Sequence, residues 1–255
     1  MTDDSSSLRQ RAIGWANQLP SIAIALGLVL AVRTVVAEPY HVPSSSMVPT
    51  LLVGDELIAS KFAYGWGKYS SPIGLLPDFS GRLFGHAPER GDVVVFRLPR
   101  DPSETYVKRL IGLPGDRIQL RAGRLYINDA VVARRAVGRF DSDVGGFTLP
   151  ATRYIETLPN GREHEIIEIS DADRHDDTPV FVVPAGHYFM MGDNRDNSLD
   201  SRIAAAEGGV GFVPEENLVA RADRLLLSRD TSVGWLDVAQ WPHAFRLARF
   251  LGRID

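Results

Sequence analysis

The chain's apolar pattern changes character once, near its start. Ser21 to Ala37 (SIAIALGLVLAVRTVVA) is almost unbroken in its hydrophobicity, with one charge, Arg33, near the far end. It lacks polar residues at helical spacing along one face, which speaks against a buried core helix. Beyond Glu38 the apolar positions come in short β-branched runs separated by glycine, proline and charge. Glu56 to Phe62 (ELIASKF), Asp92 to Leu98 (DVVVFRL) and Thr105 to Gly112 (TYVKRLIG) each predict a strand. Leu113-Pro114-Gly115-Asp116 is a turn, and Arg117 to Leu120 with Arg124 to Ile127 predicts a hairpin around Ala122-Gly123. Val180 to Val183 and His187 to Met191 are further strands, and Leu218 to Ser228 reads as a short helix or a closing strand. Tyr64 to Pro88 has no period and reads as an irregular loop, in part facing a membrane. From about Val132 to Thr178 the pattern weakens and charge rises, Asp171 to Asp177 (DADRHDD) reads as solvated, and the region as a whole reads as an inserted β-rich subdomain with variable loops. There is no internal repeat. The fold is predicted to be mainly β.

At roughly 17 residues the first segment is at the short end of a membrane-spanning helix. An arginine near a helix end snorkels to the headgroups, so Arg33 is tolerated. Arg9 and Arg11 precede the segment, which leaves the N-terminus cytoplasmic by the positive-inside tendency and everything after Glu38 outside. Two other readings compete: a buried core helix, and a cleaved signal peptide with Val35 and Ala37 as the small residues before the cut. The short basic lead and the charges at Arg33 and Glu38 speak against cleavage. An uncleaved anchor is the preferred reading.

Composition narrows the chemistry. With 28 Lys+Arg against 32 Asp+Glu, the net charge of -4 gives no reason to expect a nucleic-acid partner. The absence of cysteine excludes disulfides, thiolate metal sites and a cysteine nucleophile. There is no Gly-x-Ser-x-Gly elbow. His164-Glu165-Ile166-Ile167-Glu168 has glutamate where a zinc-protease helix needs its second histidine. The six histidines sit in unrelated contexts and most read as surface residues. No cofactor or metal is expected.

Three stretches remain. Pro43-Ser44-Ser45-Ser46-Met47-Val48-Pro49-Thr50-Leu51 packs hydroxyls between prolines, which hold the chain extended and so present a serine in a rigid loop. In Tyr106-Val107-Lys108-Arg109-Leu110, alternation puts Lys108 between two apolar neighbours on one strand face: either desolvation there lowers its pKa by roughly 3 units and makes it a usable base, or it snorkels from a sheet edge and does nothing. Gly192 to Arg202 (GDNRDNSLDSR) is a polar run directly after an apolar strand. It is either an Asx-rich surface turn or a scaffold that positions a base.

Taken in order, PSSSMVPTLLVGDELIASKFAYG from Pro43, RGDVVVF from Arg90, YVKRLIGLPGD from Tyr106 and GDNRDNSLDSR from Gly192 resemble the bacterial type I signal peptidases (leader peptidases), membrane-anchored serine proteases of the Ser/Lys type. The resemblance runs from the anchor to about Ser228. It implies a transmembrane helix followed by an antiparallel-sheet catalytic domain with an inserted β-rich subdomain: residues 1–20 cytoplasmic, 21–38 anchor, 39–255 extracytoplasmic, with a core of 39–115 and 185–255 around an insert at about 116–184. Carried over by motif, it implies Ser46 as nucleophile, Lys108 as general base, and an oxyanion hole of the Ser46 N–H with the Ser44 hydroxyl. Ser198 takes the position that hydrogen-bonds the lysine amine. Asp200 with Arg202, and Arg109 with Asp193, are supporting ion pairs. Tyr40, Val42, Met47, Leu51, Val95, Tyr106 and Val107 would surround pockets for small residues at −1 and −3 of a signal peptide. The implied partners are signal peptides of secretory preproteins, membrane lipids and a nearby export translocon, at a bacterial cytoplasmic membrane.

Departures from the family pattern are Ser45, where many relatives have glycine, the longer link Ile203 to Gly209, and a shorter insert. Trp235 and Trp241, with Phe245, Leu247, Phe250 and nearby arginines, read as a membrane-interface mixture or a packing tail. A self-cleaving Ser/Lys repressor would share the dyad but needs a DNA-binding domain in place of the apolar segment. A tethered β-domain that only binds exported chains would have lost the dyad.

Overall fold

The computed structural model describes residues 4–70, 81–144, 147–234, 237 and 240–255. Helix α1, Asp4–Val35, leads into strand β1, Ala37–His41, and the next strands are β2, Asp55–Ser60, β3, Val93–Leu98, and β4, Asp101–Gly112. β3 is buried on both faces: Val93 and Val95 join one apolar cluster, Val94, Phe96 and Leu98 another. That is why its sequence is a continuous apolar run rather than an alternation. β4 begins four residues before the predicted Thr105, and its first residues, 101–105, are exposed, so they carry no apolar signal.

β5, Arg117–Arg121, and β6, Arg124–Ile127, form the expected hairpin, with positive φ at Ala122 (44°) and Gly123 (68°). β7, Ala130–Val131, follows. The weakly patterned region then contains a long ribbon of β8, Ala133–Val144, and β9, Phe147–Thr157, with β10, Glu163–Glu168, added to it. This ribbon escaped the period-2 reading because much of β9 is exposed and a bulge between Ala136 and Gly138 shifts the register. β11, Phe181–Val182, returns beside β5, ahead of β12, His187–Met191, β13, Val213–Pro214, and β14, Leu218–Ser228, with a short helix α2, Trp241–Ala244, near the end.

The main sheet has seven strands in the order β1-β2-β14-β3-β4-β12-β13. Every neighbouring pair is antiparallel. The other strands form a three-stranded sheet (β10-β9-β8) and a four-stranded one (β11-β5-β6-β7). β14 is a strand and not a helix, and it lies inside the sheet between β2 and β3. Bulges between Ala222 and Arg224 and between Leu225 and Leu227 broke the alternation that would have marked it.

Among the described residues, no helix is long and apolar enough to cross a membrane. The apolar side chains described in α1 are exposed, from Leu19 and Ile22 through Ile24, Leu26, Leu28, Val29 and Leu30 to Val32. The corner between α1 and β1 is pinned by charge. Glu38 receives Arg33 at 2.9 Å, the buried Lys61 amine at 2.8 Å and the Tyr40 hydroxyl at 2.9 Å.

Residues 171–174 and 177 are exposed, as expected of that stretch, and of the described histidines only His164 is buried, so two polar residues stand as exceptions. Asp176 is wholly buried rather than solvated, because its carboxylate accepts the Asp173 N–H at 2.6 Å and closes a turn against Gly123. His164 is buried as well, side by side with Glu156. In the C-terminal mixture, Leu247 and Phe250 are exposed and Trp241 packs edge-on against Phe245. Trp235 and residues 71–80 of the predicted loop lie outside the described residues.

Candidate active site

Ser46 and Lys108 are 62 positions apart in the chain, and their side chains meet. Lys108 Nζ lies 2.5 Å from Ser46 Oγ, with both residues buried. Lys108 stands on β4 opposite Val94 of β3, with Tyr106 on the same face; its amine is 5.5 Å from the Tyr106 ring. Burial is the main reason its pKa falls from 10.5 to about 8; Asp200 and Asp193 oppose the fall and Arg202 adds to it. Ser44 Oγ is 3.3 Å from Ser46 Oγ.

The Ser46 loop is held by residues 193–197. Asn194 donates its N–H to Ser46 O at 3.1 Å and its amide to Ser45 O at 3.2 Å, while the Asn197 amide reaches Ser45 Oγ at 3.0 Å. Thr50 Oγ1 donates to Asp193 Oδ2 at 2.6 Å. A side chain at Gly192 would place its Cβ 2.5 Å from Ser46 O and 2.2 Å from Ser198 Oγ, so only glycine lets these segments close. The segment is itself stitched to β10, with Ile167 donating to Asp193 O and Arg195 to Ile167 O, each at 3.0 Å. Ser45 has no positive φ, so its departure from glycine brings no strain.

The two expected ion pairs are present and buried. Arg109 grips Asp193 through Nε and Nη2, each at 2.8 Å, and Arg202 grips Asp200 through Nε and Nη2, each at 2.9 Å. Burial pushes the Asp200 carboxyl up, but Arg202 and the N–H groups of Gly192 and Arg202 outweigh it and hold the pKa below its ordinary value. A third buried pair, Arg195 with Glu156, was invisible to sequence reasoning because Glu156 sits on the missed strand β9. Beside it, burial followed by the charges of Arg109, Arg195 and Arg162 keeps His164 neutral.

A cleft of about 430 Å³ opens onto the dyad. Tyr40, Val42, Met47, Tyr106 and Val107 line it, with Ser44, Ser45, Ser46 and Lys108. Leu51 and Val95 do not; both are 0 % exposed and belong to the core beneath. Six of the residues that line the cleft were not included in the expected site, His41, Pro43, Ser45, Thr105, Asn197 and Leu199. Leu199 had a usable signal, being the one large apolar residue in the polar 192–202 run. Ser198 also differs from its expected role. Its Oγ is buried over Gly192 with no hydrogen-bond partner, and so is not bonded to the Lys108 amine.

Residues 15–227 match the family model described as "Signal peptidase, peptidase S26". The chain belongs to this family. The signal peptidase I of Rickettsia canadensis is 43% identical over 229 residues, covering 87% of this chain and 83% of the relative. That of Rickettsia typhi is 42% identical over 255 residues, covering 93% of each chain. A solved signal peptidase I from Enterococcus faecalis covers 53% of this chain and 97% of its own, at 26% identity and a TM-score of 0.31. As a member of the signal peptidase family the chain is a serine peptidase that removes signal peptides.

Proposed function

We propose that this signal peptidase works by a Ser46–Lys108 dyad, anchored through α1 at a bacterial cytoplasmic membrane. The contact of 2.5 Å between a buried amine and a serine hydroxyl at the floor of an open cleft carries the reading. Neutral Lys108 takes the Ser46 proton as Oγ attacks the scissile carbonyl. The protonated amine then gives that proton to the leaving amine, which departs and leaves an ester on Ser46. Lys108, neutral again, deprotonates the hydrolytic water that frees the acyl group. The Ser46 N–H and the Ser44 hydroxyl would receive the oxyanion, and losing one such donor costs about 3 kcal/mol in the transition state. Asp200–Arg202 and Asp193–Arg109 act through others: they hold the polar run that grips the Ser46 loop.

The apolar cleft walls suit an extended peptide with small side chains at −1 and −3, although one methylene is worth only about 1–3 kcal/mol of selectivity. Main-chain hydrogen bonds to exposed strand edges would fix such a peptide. The succession of exposed apolar side chains along α1 supports an anchor that leaves the sheet outside, against lipid and near the export translocon. The test is cleavage of a reporter preprotein with the product N-terminus sequenced. Ser46→Ala and Lys108→Ala are expected to be folded and inactive, and full activity in either would sink the dyad.

A further inference from the structure

The nucleophile stands at the head of a tight segment, Ser46 to Asp55. Within it, Leu51 N–H donates to Met47 O at 2.8 Å, and Leu52 N–H donates to the Asp55 carboxylate at 2.8 Å. One flank of this segment is held by 193–197. The other is held by a guanidinium from far along the chain: Arg249 Nη2 donates to Thr50 O at 2.9 Å and to Asp55 Oδ2 at 2.6 Å. Asp55 is 0 % exposed, and the oxygen that receives Arg249 is also the one that caps Leu52. Arg249 therefore neutralises the buried carboxylate that shapes the turn and ties the turn's own backbone to it.

Arg249 is delivered by a strap laid along β14. Leu225 N–H donates to Gly252 O at 2.8 Å, Arg246 N–H to Ser228 O at 2.9 Å, and Ile254 N–H to Asp223 O at 3.0 Å. Ile254 packs into the same apolar cluster as Met47 and Leu51, on the nucleophile's own segment. The strap lies beyond residue 227, outside the stretch that matches the family model.

We propose that Arg249 is a positioning residue for acyl transfer, fixing Thr50 and Asp55 so that Ser46 stays in reach of Lys108. The proposal rests on Ser46 being the nucleophile. A nucleophile displaced by about 1 Å loses on the order of a hundredfold in rate, so a tether two turns of chain away has a kinetic effect without touching substrate.

The experiment uses the full chain in detergent micelles with a signal-peptide substrate. Folded fraction is measured by denaturant titration, and kcat is expressed per folded molecule. Arg249→Ala is expected to lower that kcat roughly tenfold or more with KM within about twofold. Arg249→Lys, which keeps the charge on Asp55, should recover part of the loss. A merely structural role would lower the folded fraction and leave kcat per folded molecule at its wild-type value, which overturns the proposal. Should Arg249→Ala not fold, the double variant Asp55→Asn/Arg249→Gln removes the lone buried charge and still caps Leu52; its kcat is expected to fall several-fold, on the order of 3–10-fold, and a wild-type kcat overturns the proposal. Arg253→Ala, which loses only the exposed pair with Asp255, is expected to keep wild-type kcat, and an equal loss there would assign the effect to the strap's folding instead. Ser46→Ala separates the two readings: if it is active, the dyad fails, and if it is inactive while Arg249→Ala is unimpaired, only the strap proposal fails.

Discussion

A lysine amine ordinarily titrates at 10.5, and burial at Lys108 brings this one to about 8. Below pH 8 the amine is protonated and cannot accept the Ser46 proton, so kcat/KM is expected to rise with pH through about 8 and then level. A profile flat from about pH 6 to 10 would remove lysine as the base. The same shift weakens the fold. The unfolded chain holds the proton up to 10.5 and the folded one releases it near 8, so the penalty is full below pH 8 and relieved as pH rises toward 10.5. Lys108→Met is therefore expected to be inactive and more stable at pH 7 by up to about 3 kcal/mol in denaturant titration, with the advantage shrinking at high pH. Lys108→Arg should be as inactive, since arginine keeps its proton. Ser44→Ala should lower kcat by about a hundredfold with KM unchanged, and a matching rise in KM would contradict an oxyanion role. Lys108 was legible because strand alternation flanks it with Tyr106 and Leu110. Ser198 was misread because its contact is set by which rotamer packs over Gly192, and no pattern encodes that.

At the scale of elements, the segment 192–202 decides the site. It reads as a hydrophilic turn, yet Asp193, Asn194, Arg195, Asp200, Ser201 and Arg202 are all buried. Breaking one member of a buried pair strands the other, at a cost of roughly 3–5 kcal/mol. Asp200→Ala is therefore expected to destabilise the protein by about that much, measured by chemical denaturation, because it leaves the Arg202 guanidinium, 1 % exposed, without its carboxylate. Gly192→Ala tests the close approach. Its Cβ would meet the backbone oxygen of Ser46 at 2.5 Å, so turnover should fall even where the variant folds. Strands β2, β5 and β6 were readable because one-sided burial left its period in the sequence, and β3 and β12 because burial on both faces left a short continuous apolar run. The ribbon β8–β9 was not, because much of it is exposed and charged. β14 was left open between helix and strand because two bulges shift its faces.

For the whole molecule, the anchor proposed in α1 bears on where the cleft would sit. β1 starts two residues after α1 ends and supplies Tyr40 and His41 to the cleft, so an anchored helix would hold the cleft close to the bilayer surface. The full chain is accordingly expected to float with lipid vesicles in a density gradient. Serine at Ile24, Leu26, Leu28 and Leu30 together should leave it unbound, and flotation of that variant would contradict an α1 anchor. The sequence by itself determined the β class, the long apolar segment, and the serine and lysine worth pairing, because hydrophobic period, proline geometry and motif order are local properties of a chain. It named Leu51 and Val95 as pocket walls when they are core. Only the tertiary structure decided the contact of 2.5 Å across 62 residues, the depth of burial that brings Lys108 to about 8, and which side chains face the cleft. Distance, desolvation and exposure depend on how remote strands pair and pack, and no local pattern records them.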